Sequence, residues 1–80
     1  MEPFIGEIRF FPYTFAPAGW HVCNGGMLAI IENTALFSLL GTAFGGDGKT
    51  NFTVPNLLDK VPISQGNYCI AIQGVYPQRA

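Results

Sequence analysis

The run Trp20-His21-Val22-Cys23-Asn24-Gly25-Gly26-Met27-Leu28-Ala29-Ile30-Ile31 decides the fold class. Two short apolar segments, Trp20 to Cys23 and Met27 to Ile31, flank Asn24-Gly25-Gly26. Asn-Gly is a strong short-range hairpin signal, because both residues tolerate positive φ. The stretch therefore reads as the two arms of a β-hairpin. Outward toward the N-terminus, Pro17-Ala18-Gly19 supplies a turn, and Pro12 stops ladder pairing. Ile5 to Phe11 then alternates, with Ile8 and Phe10 on one face beside Gly6 and Glu7 and Arg9 on the other. That is the pattern of a half-buried strand. Phe11 breaks it by joining the polar face, which marks it as a candidate interface residue.

Outward toward the C-terminus, Asn33 to Leu40 carries the one good helix signal. Asn33 is placed to cap it, Leu36, Leu39 and Leu40 form an apolar stripe with Phe37 beside it, and Gly41 is placed to end it. Such a short helix must be held by packing. Gly45-Gly46-Asp47-Gly48 is a turn-rich loop, and Asn51 to Val54 is a short strand ended by Pro55. Lys60 to Ile63 reads as a further short extended piece, demoted to an edge by Pro62. Tyr68 to Gln73 is the last strand. With no internal repeat and no linker, residues 1–80 read as a single, mostly β (α+β) domain of short strands and hairpins with one short helix near 33–40.

Composition narrows the function. Lys plus Arg number 4 and Asp plus Glu number 5, giving a net charge of −1, while 49% of the chain is apolar. Disordered chains are charge-rich and aromatic-poor, so disorder is excluded. Four cations cannot form the basic stripe that phosphate contacts need, so no nucleic-acid partner is expected. Gly and Pro are too dense for a coiled coil. A small monomer normally covers itself with charge; at 11% charged residues, this one leaves much uncharged surface to be hidden. Assembly with other subunits is the first inference. Phe10 to Ile31 and Val61 to Gln78 lack charge, but their Pro, Gly, Asn and Gln residues prevent either from spanning a bilayer as a helix. Met1-Glu2-Pro3 lacks a basic n-region, so no standard signal peptide is expected.

The motifs with chemical associations resolve to bland readings. Gly48-Lys49-Thr50 fits the end of a phosphate-binding loop, with Ala43 where the first Gly belongs. Such a loop needs a strand before it and a helix beginning at the Lys. Here a helix precedes it and a β-prone segment follows, so a turn built on Asp47-Gly48 is the better reading. His21 is the only histidine, and one His with two distant Cys cannot close a zinc site within one chain. Ser38 and Ser64 lie outside any nucleophile-elbow sequence, and Glu7, Glu32, Asp47 and Asp59 are scattered. Neither an enzyme nor a bound cofactor is expected. Asn51-Phe52-Thr53 matches a glycosylation sequon by coincidence in this reading. Cys23 and Cys69 are either two buried thiols or a disulfide. Bonded within the chain, they would close a loop of about 46 residues, worth about 4 kcal/mol in the chain-entropy model.

A longer set of residues is more specific. Gly6-Glu7-Ile8, Phe15-Ala16-Pro17-Ala18-Gly19-Trp20, Cys23-Asn24-Gly25, Asn33-Thr34-Ala35-Leu36-Phe37-Ser38-Leu39-Leu40-Gly41-Thr42, Phe44-Gly45-Gly46-Asp47-Gly48, Thr50, Phe52 and Pro55-Asn56-Leu57 occur in order. Together they resemble the phage tail collar domain, shared by phage tail fibres and the bacterial microcystin-dependent proteins, over about Gly6 to Pro62. Asn67 to Pro77 resembles the closing segment of longer members, with the long variable middle missing. Asn56-Leu57-Leu58-Asp59-Lys60 departs from the family, which usually carries an Asp and basic residues around that Leu. The resemblance implies an assembly or adhesion part with no enzyme chemistry.

The resulting expectation is a self-assembling structural subunit of a phage-like tail tip or fibre, or of a bacterial surface fibre. It would sit in a virion tail or outside the cell, with copies of itself or other tail proteins as partners and no membrane insertion. Phe11, Tyr13, Phe15, Val75 and Tyr76 are the candidate interface residues. Cys23 and Cys69 are the candidate disulfide. The alternative is a receptor- or glycan-binding adhesion module, using Trp20, Tyr13, Tyr68 or Tyr76 as an aromatic platform and Asn24, Asn51 and Gln73 as polar partners.

Overall fold

A computed structural model describes residues 2–61 and 65–77. Five strands are present among them: β1 (Ile8–Phe11), β2 (Trp20–Val22), β3 (Met27–Ala29), β4 (Asn51–Thr53) and β5 (Asn67–Ala71). One α-helix, α1 (Thr34–Leu40), and 3-10 turns at Ile30–Glu32 and Leu58–Lys60 complete them. The expected class, mostly β with one short helix, is what the chain adopts. The strands form two antiparallel sheets, β1-β5-β2 and β3-β4.

The expected hairpin does not form. β2 pairs with β5, while β3 pairs with β4. Between them the chain never folds back on itself. One register runs from Ile30 N–H on Thr50 O, through the β3–β4 pairs and the Asn24–Asn56 bridge, to Leu57 N–H on Cys23 O at 2.8 Å. Trp20 to Ala29 is thus one bent path that leaves the first sheet at Cys23 and enters the second, as corner strands do between packed sheets. Gly25, at φ 77, makes the bend, and Asn24 Oδ1 accepts the Gly26 N–H at 2.8 Å to hold it. The Asn-Gly signal marks where the backbone turns; the pairing is decided by distant partners.

Alternation along the first sheet sorts its two faces. The register Cys69 with Arg9 and Val22, and Ala71 with Trp20, puts these residues on one face together with Phe11. Tyr68, Ile70, His21 and Cys23 share the other, and this inner face carries the core. Cys23, Leu36, Phe52, Val54 and Ile70 form its buried cluster, flanked by Ile5, Phe37, Leu40 and Leu57. Phe37 and Phe52 pack at a ring separation of 5.3 Å, tying α1 to β4. Of the expected helix stripe, Leu36 is fully buried and Leu40 is half-buried, but Leu39 faces outward. The Asn33 side chain does not cap the helix; its amide donates to Ala29 O at 3.0 Å, closing the preceding turn. Gly41 ends the helix at φ 55, and its N–H donates to Phe37 O at 2.7 Å.

Lys60 lies in the Leu58–Lys60 turn rather than in an extended piece, and the rest of that expected piece, Pro62 and Ile63, lies outside the described residues. The closing segment takes the most central place of all. β5 is the middle strand of its sheet, and Cys69, Ile70 and Ala71 are each 0% exposed. Ile8 lies on the core-side face of β1 but remains exposed, because β1 is an edge strand.

Candidate assembly surface

On the outer face of the first sheet the aromatic residues form a ladder. Phe11 meets Trp20 edge-on at 4.9 Å, stacks on Tyr13 at 6.0 Å and 20°, and Tyr13 stacks on Phe15 at 5.5 Å and 16°. The spacing 11, 13, 15 is that of an extended chain, which sends alternate side chains to one side. Asn67 anchors the middle rung by donating its amide to Tyr13 O at 3.1 Å. At the inner end of the ladder, Arg9 lies 5.3 Å from the Trp20 ring centroid, and Arg9, Phe11 and Trp20 share the sheet face of the fully buried Cys69 and Ala71. The outer end is free, with Tyr13 46% and Phe15 63% exposed.

Val75 and Tyr76 lie elsewhere. Val75 bridges Phe4, with Val75 N–H on Pro3 O and Ile5 N–H on Val75 O, both at 2.9 Å. The Tyr76 hydroxyl and Ser38 Oγ are 2.7 Å apart, which places Tyr76 against α1. The structure therefore separates the five candidate interface residues into two groups, Phe11/Tyr13/Phe15 and Val75/Tyr76. Sequence reasoning missed Phe4, which joins the second group and is 57% exposed. It also missed Ile31 at 85%. Their signal was weak, because a single apolar residue beside a Pro or at the end of an apolar run carries no period.

Arg9 pairs with Glu7 on the same face, through Nε at 3.1 Å and a closer contact from the other guanidinium nitrogen. This pair, with the Phe4 N–H that Glu7 also accepts, holds the Glu7 carboxyl below its ordinary range. It fixes Arg9 over Trp20.

The loop after α1 answers the phosphate question. Asp47 Oδ1 accepts the N–H groups of Lys49, Thr50 and Asn51 at 2.8, 2.9 and 3.0 Å, and Oδ2 accepts the Thr50 hydroxyl at 2.9 Å. The amides a phosphate would require are already occupied by this carboxylate, and these same bonds hold the carboxyl pKa well below the usual carboxylate range. A Cβ on Gly46 would run into Phe52 Cα and lie 2.8 Å from Asn51 O, at a φ of 98. The loop is a rigid structural turn.

The two cysteines are free and buried. The register explains why they do not bond. Val22, and not Cys23, is the partner of Cys69, so Cys23 points to the inner face and Cys69 to the outer one. Burial, with Cys69 adding to it, pushes the Cys23 thiol up to about 11, and burial raises Cys69 as well. Of the two readings, buried thiols or a disulfide, this geometry fits buried thiols and gives no bond within the chain. His21 Nδ1 sits 2.8 Å from Val22 O, and among the described residues no three His, Cys, Asp or Glu side chains converge as a metal site would require. Of the alternative's polar residues, Gln73 meets Trp20 at a small pocket, whereas Asn24 and Asn51 are occupied in the bend and in the Asp47 loop.

Residues 6–62 match the phage tail collar domain, more than half of the chain. The chain belongs to the phage tail collar domain family. No match was found among curated proteins or solved structures. Collar domains are structural domains of tail fibres, and the family is not known for enzymatic activity. The matched span contains the ladder residues, the bend and the Asp47 loop, while β5, which joins β1 to β2, lies beyond it. Among the described residues, no helix is long and apolar enough to cross a membrane.

Proposed function

We propose that this collar domain is a structural subunit that assembles with copies of itself in a phage-like tail tip or fibre, or in a bacterial surface fibre. The observation that carries the reading is the uncovered apolar surface. Eleven large hydrophobic side chains among the described residues are at least 39% exposed, in a chain with 11% charged residues. The accessible surface of 5310 Å² exceeds the roughly 4,700 Å² expected of a folded monomer of this mass. The radius of gyration, 12.4 Å, likewise exceeds the roughly 11.6 Å of a compact 80-residue domain. The ladder tip at Tyr13 and Phe15 and the Phe4/Val75/Tyr76 group are the contact surfaces.

The experiment is size-exclusion chromatography with light scattering on the full chain and on Phe15→Asp. The full chain is expected as an oligomer and the variant as a smaller species with an unchanged circular dichroism spectrum. An unchanged oligomer in Phe15→Asp removes the ladder from the interface. A monomeric full chain at high concentration overturns the reading altogether.

A further inference from the structure

β1 is an edge strand, and among the described residues β5 is its only strand partner. Ala71 N–H donates to Glu7 O, and on the other side of β5 Cys23 N–H donates to Tyr68 O. These two bonds fix the alternation of the backbone. Glu7, Arg9 and Phe11 turn their polar groups toward β5, so Ile8 and Phe10 turn theirs toward the open edge. Such a row of N–H and C=O groups is a template for another strand. Proline and bulges, which usually blunt an edge, are absent from Ile8–Phe11: its register with β5 is continuous, and Pro12 comes after it. On the core-side face of this edge, Ile8 is left 44% exposed.

The side chains select the strand that completes the edge. A second β1, laid antiparallel with the two Ile8 residues opposite each other, brings Glu7 of each chain against Arg9 of the other. Glu7 and Arg9 already pair along their own strand, so the four charges alternate around a square. Opposite charges directly across a strand pair stabilise it, and like charges there destabilise it. The two neighbouring registers that the backbone allows lose this match. One sets Arg9 against Arg9 and Glu7 against Phe11. The other sets Glu7 against Glu7 and needs the Gly6 N–H, which already donates to Ala71 O. A slip of one residue instead sets groups that face the edge against groups that face β5. With Ile8 on the axis, its N–H and C=O exchange two hydrogen bonds with the other Ile8, and the two exposed side chains meet. We propose that two copies of this chain join antiparallel along β1, about a twofold axis at Ile8. The contact is isologous, so it closes as a pair. It rests on the self-assembly reading and deepens it, naming one contact and its register.

Charge reversal and cysteine cross-linking on the full chain test it. Glu7→Arg and Arg9→Glu each turn the square into four like charges. Each is expected to raise the concentration of half-association at least about tenfold in sedimentation equilibrium. Mixed in equal amounts, the two variants set cations against anions across the axis and are expected to associate within about threefold of the parent. Cross-linking reads the register without reversing a charge. Residues 7 and 9 would face each other as a non-hydrogen-bonded pair about 4.5 Å apart at Cα, within disulfide reach. Glu7→Cys and Arg9→Cys chains, mixed under mild oxidation, are expected to cross-link to each other at least about tenfold more than either does to itself. The buried Cys23 and Cys69 keep the background low. If the parent associates and both reversals, folded by circular dichroism, associate equally well, β1 is not the contact and self-assembly through the ladder still stands. If the folded variants gain nothing on mixing, or either cysteine variant cross-links best to itself, this pairing is wrong. A parent that sediments as a single chain overturns the pairing and the self-assembly reading together.

Discussion

Replacing Leu36 by Ala tests which face of α1 carries the core. Leu36 is 0% exposed and belongs to the buried cluster with Cys23, Phe52, Val54 and Ile70, whereas Leu39, one turn on, is 39% exposed. Ala is at least as good a helix former as Leu, so helix propensity drops out of the comparison. Truncating a fully buried Leu costs about 2–5 kcal/mol, because the lost transfer energy is joined by a cavity that the surroundings only partly fill. An 80-residue domain has roughly 4–12 kcal/mol in all, so Leu36→Ala removes a large share of its stability. Leu39→Ala removes a side chain that faces water and leaves no closed cavity, so its cost is about 1 kcal/mol. At about 4–8 °C per kcal/mol for a domain of this size, Leu36→Ala lowers Tm by at least about 8 °C and Leu39→Ala by about 4–8 °C, at most half the Leu36→Ala shift on the same slope. Urea unfolding followed by Trp20 emission, at concentrations where the chain is dissociated, measures both. Equal costs for the two variants would refute this orientation of the helix.

Four further outcomes are expected. Gly46→Ala forces a positive φ on Ala and pushes its methyl against the Phe52 backbone, so it costs at least about 2 kcal/mol in urea unfolding. Gly41→Ala, with open space around it, costs about 1–2 kcal/mol for φ alone. Folding lowers the Asp47 carboxyl below its ordinary pKa, so its contribution is present above the unfolded carboxylate value of about 3.9 and fades as pH falls beneath it. The Tm gap between the parent and Asp47→Asn is therefore constant near neutrality and narrows below about pH 4. Cys23 and Cys69 resist alkylation in the folded chain, react fully once it is unfolded without reductant, and give a single band on non-reducing gels. A chain ending at Val61 lacks β5 and so leaves β1 and β2 with no common partner; its circular dichroism is expected to show no cooperative thermal transition.

Much of the element list was legible because it is local. The Leu36–Leu40 spacing with Gly41 marked the helix, alternation marked β1 and β5, and the short run ended by Pro55 marked β4. Phe11 on the face of Arg9 was visible as an anomaly, and the structure resolves it as the inner rung of the ladder. Pairing was not legible. The signal Asn24-Gly25-Gly26 is the same for a hairpin and for a strand that bends from one sheet into another, and only the distant residues Leu57 and Tyr68 decide between them. The cysteines show the same limit: each looked like a core position, but one register step places them on opposite faces.

Sedimentation velocity on the purified full chain, from low to high micromolar concentration, tests the proposed self-assembly most directly. An isolated subunit of 8.7 kDa has a sharply defined sedimentation limit. The exposed ladder and the Phe4/Val75/Tyr76 group predict species well above that limit whose share grows with concentration, and that shift toward it in Phe15→Asp. A single boundary at the mass of one chain across the whole range, with native circular dichroism, would contradict self-assembly as the role of this domain.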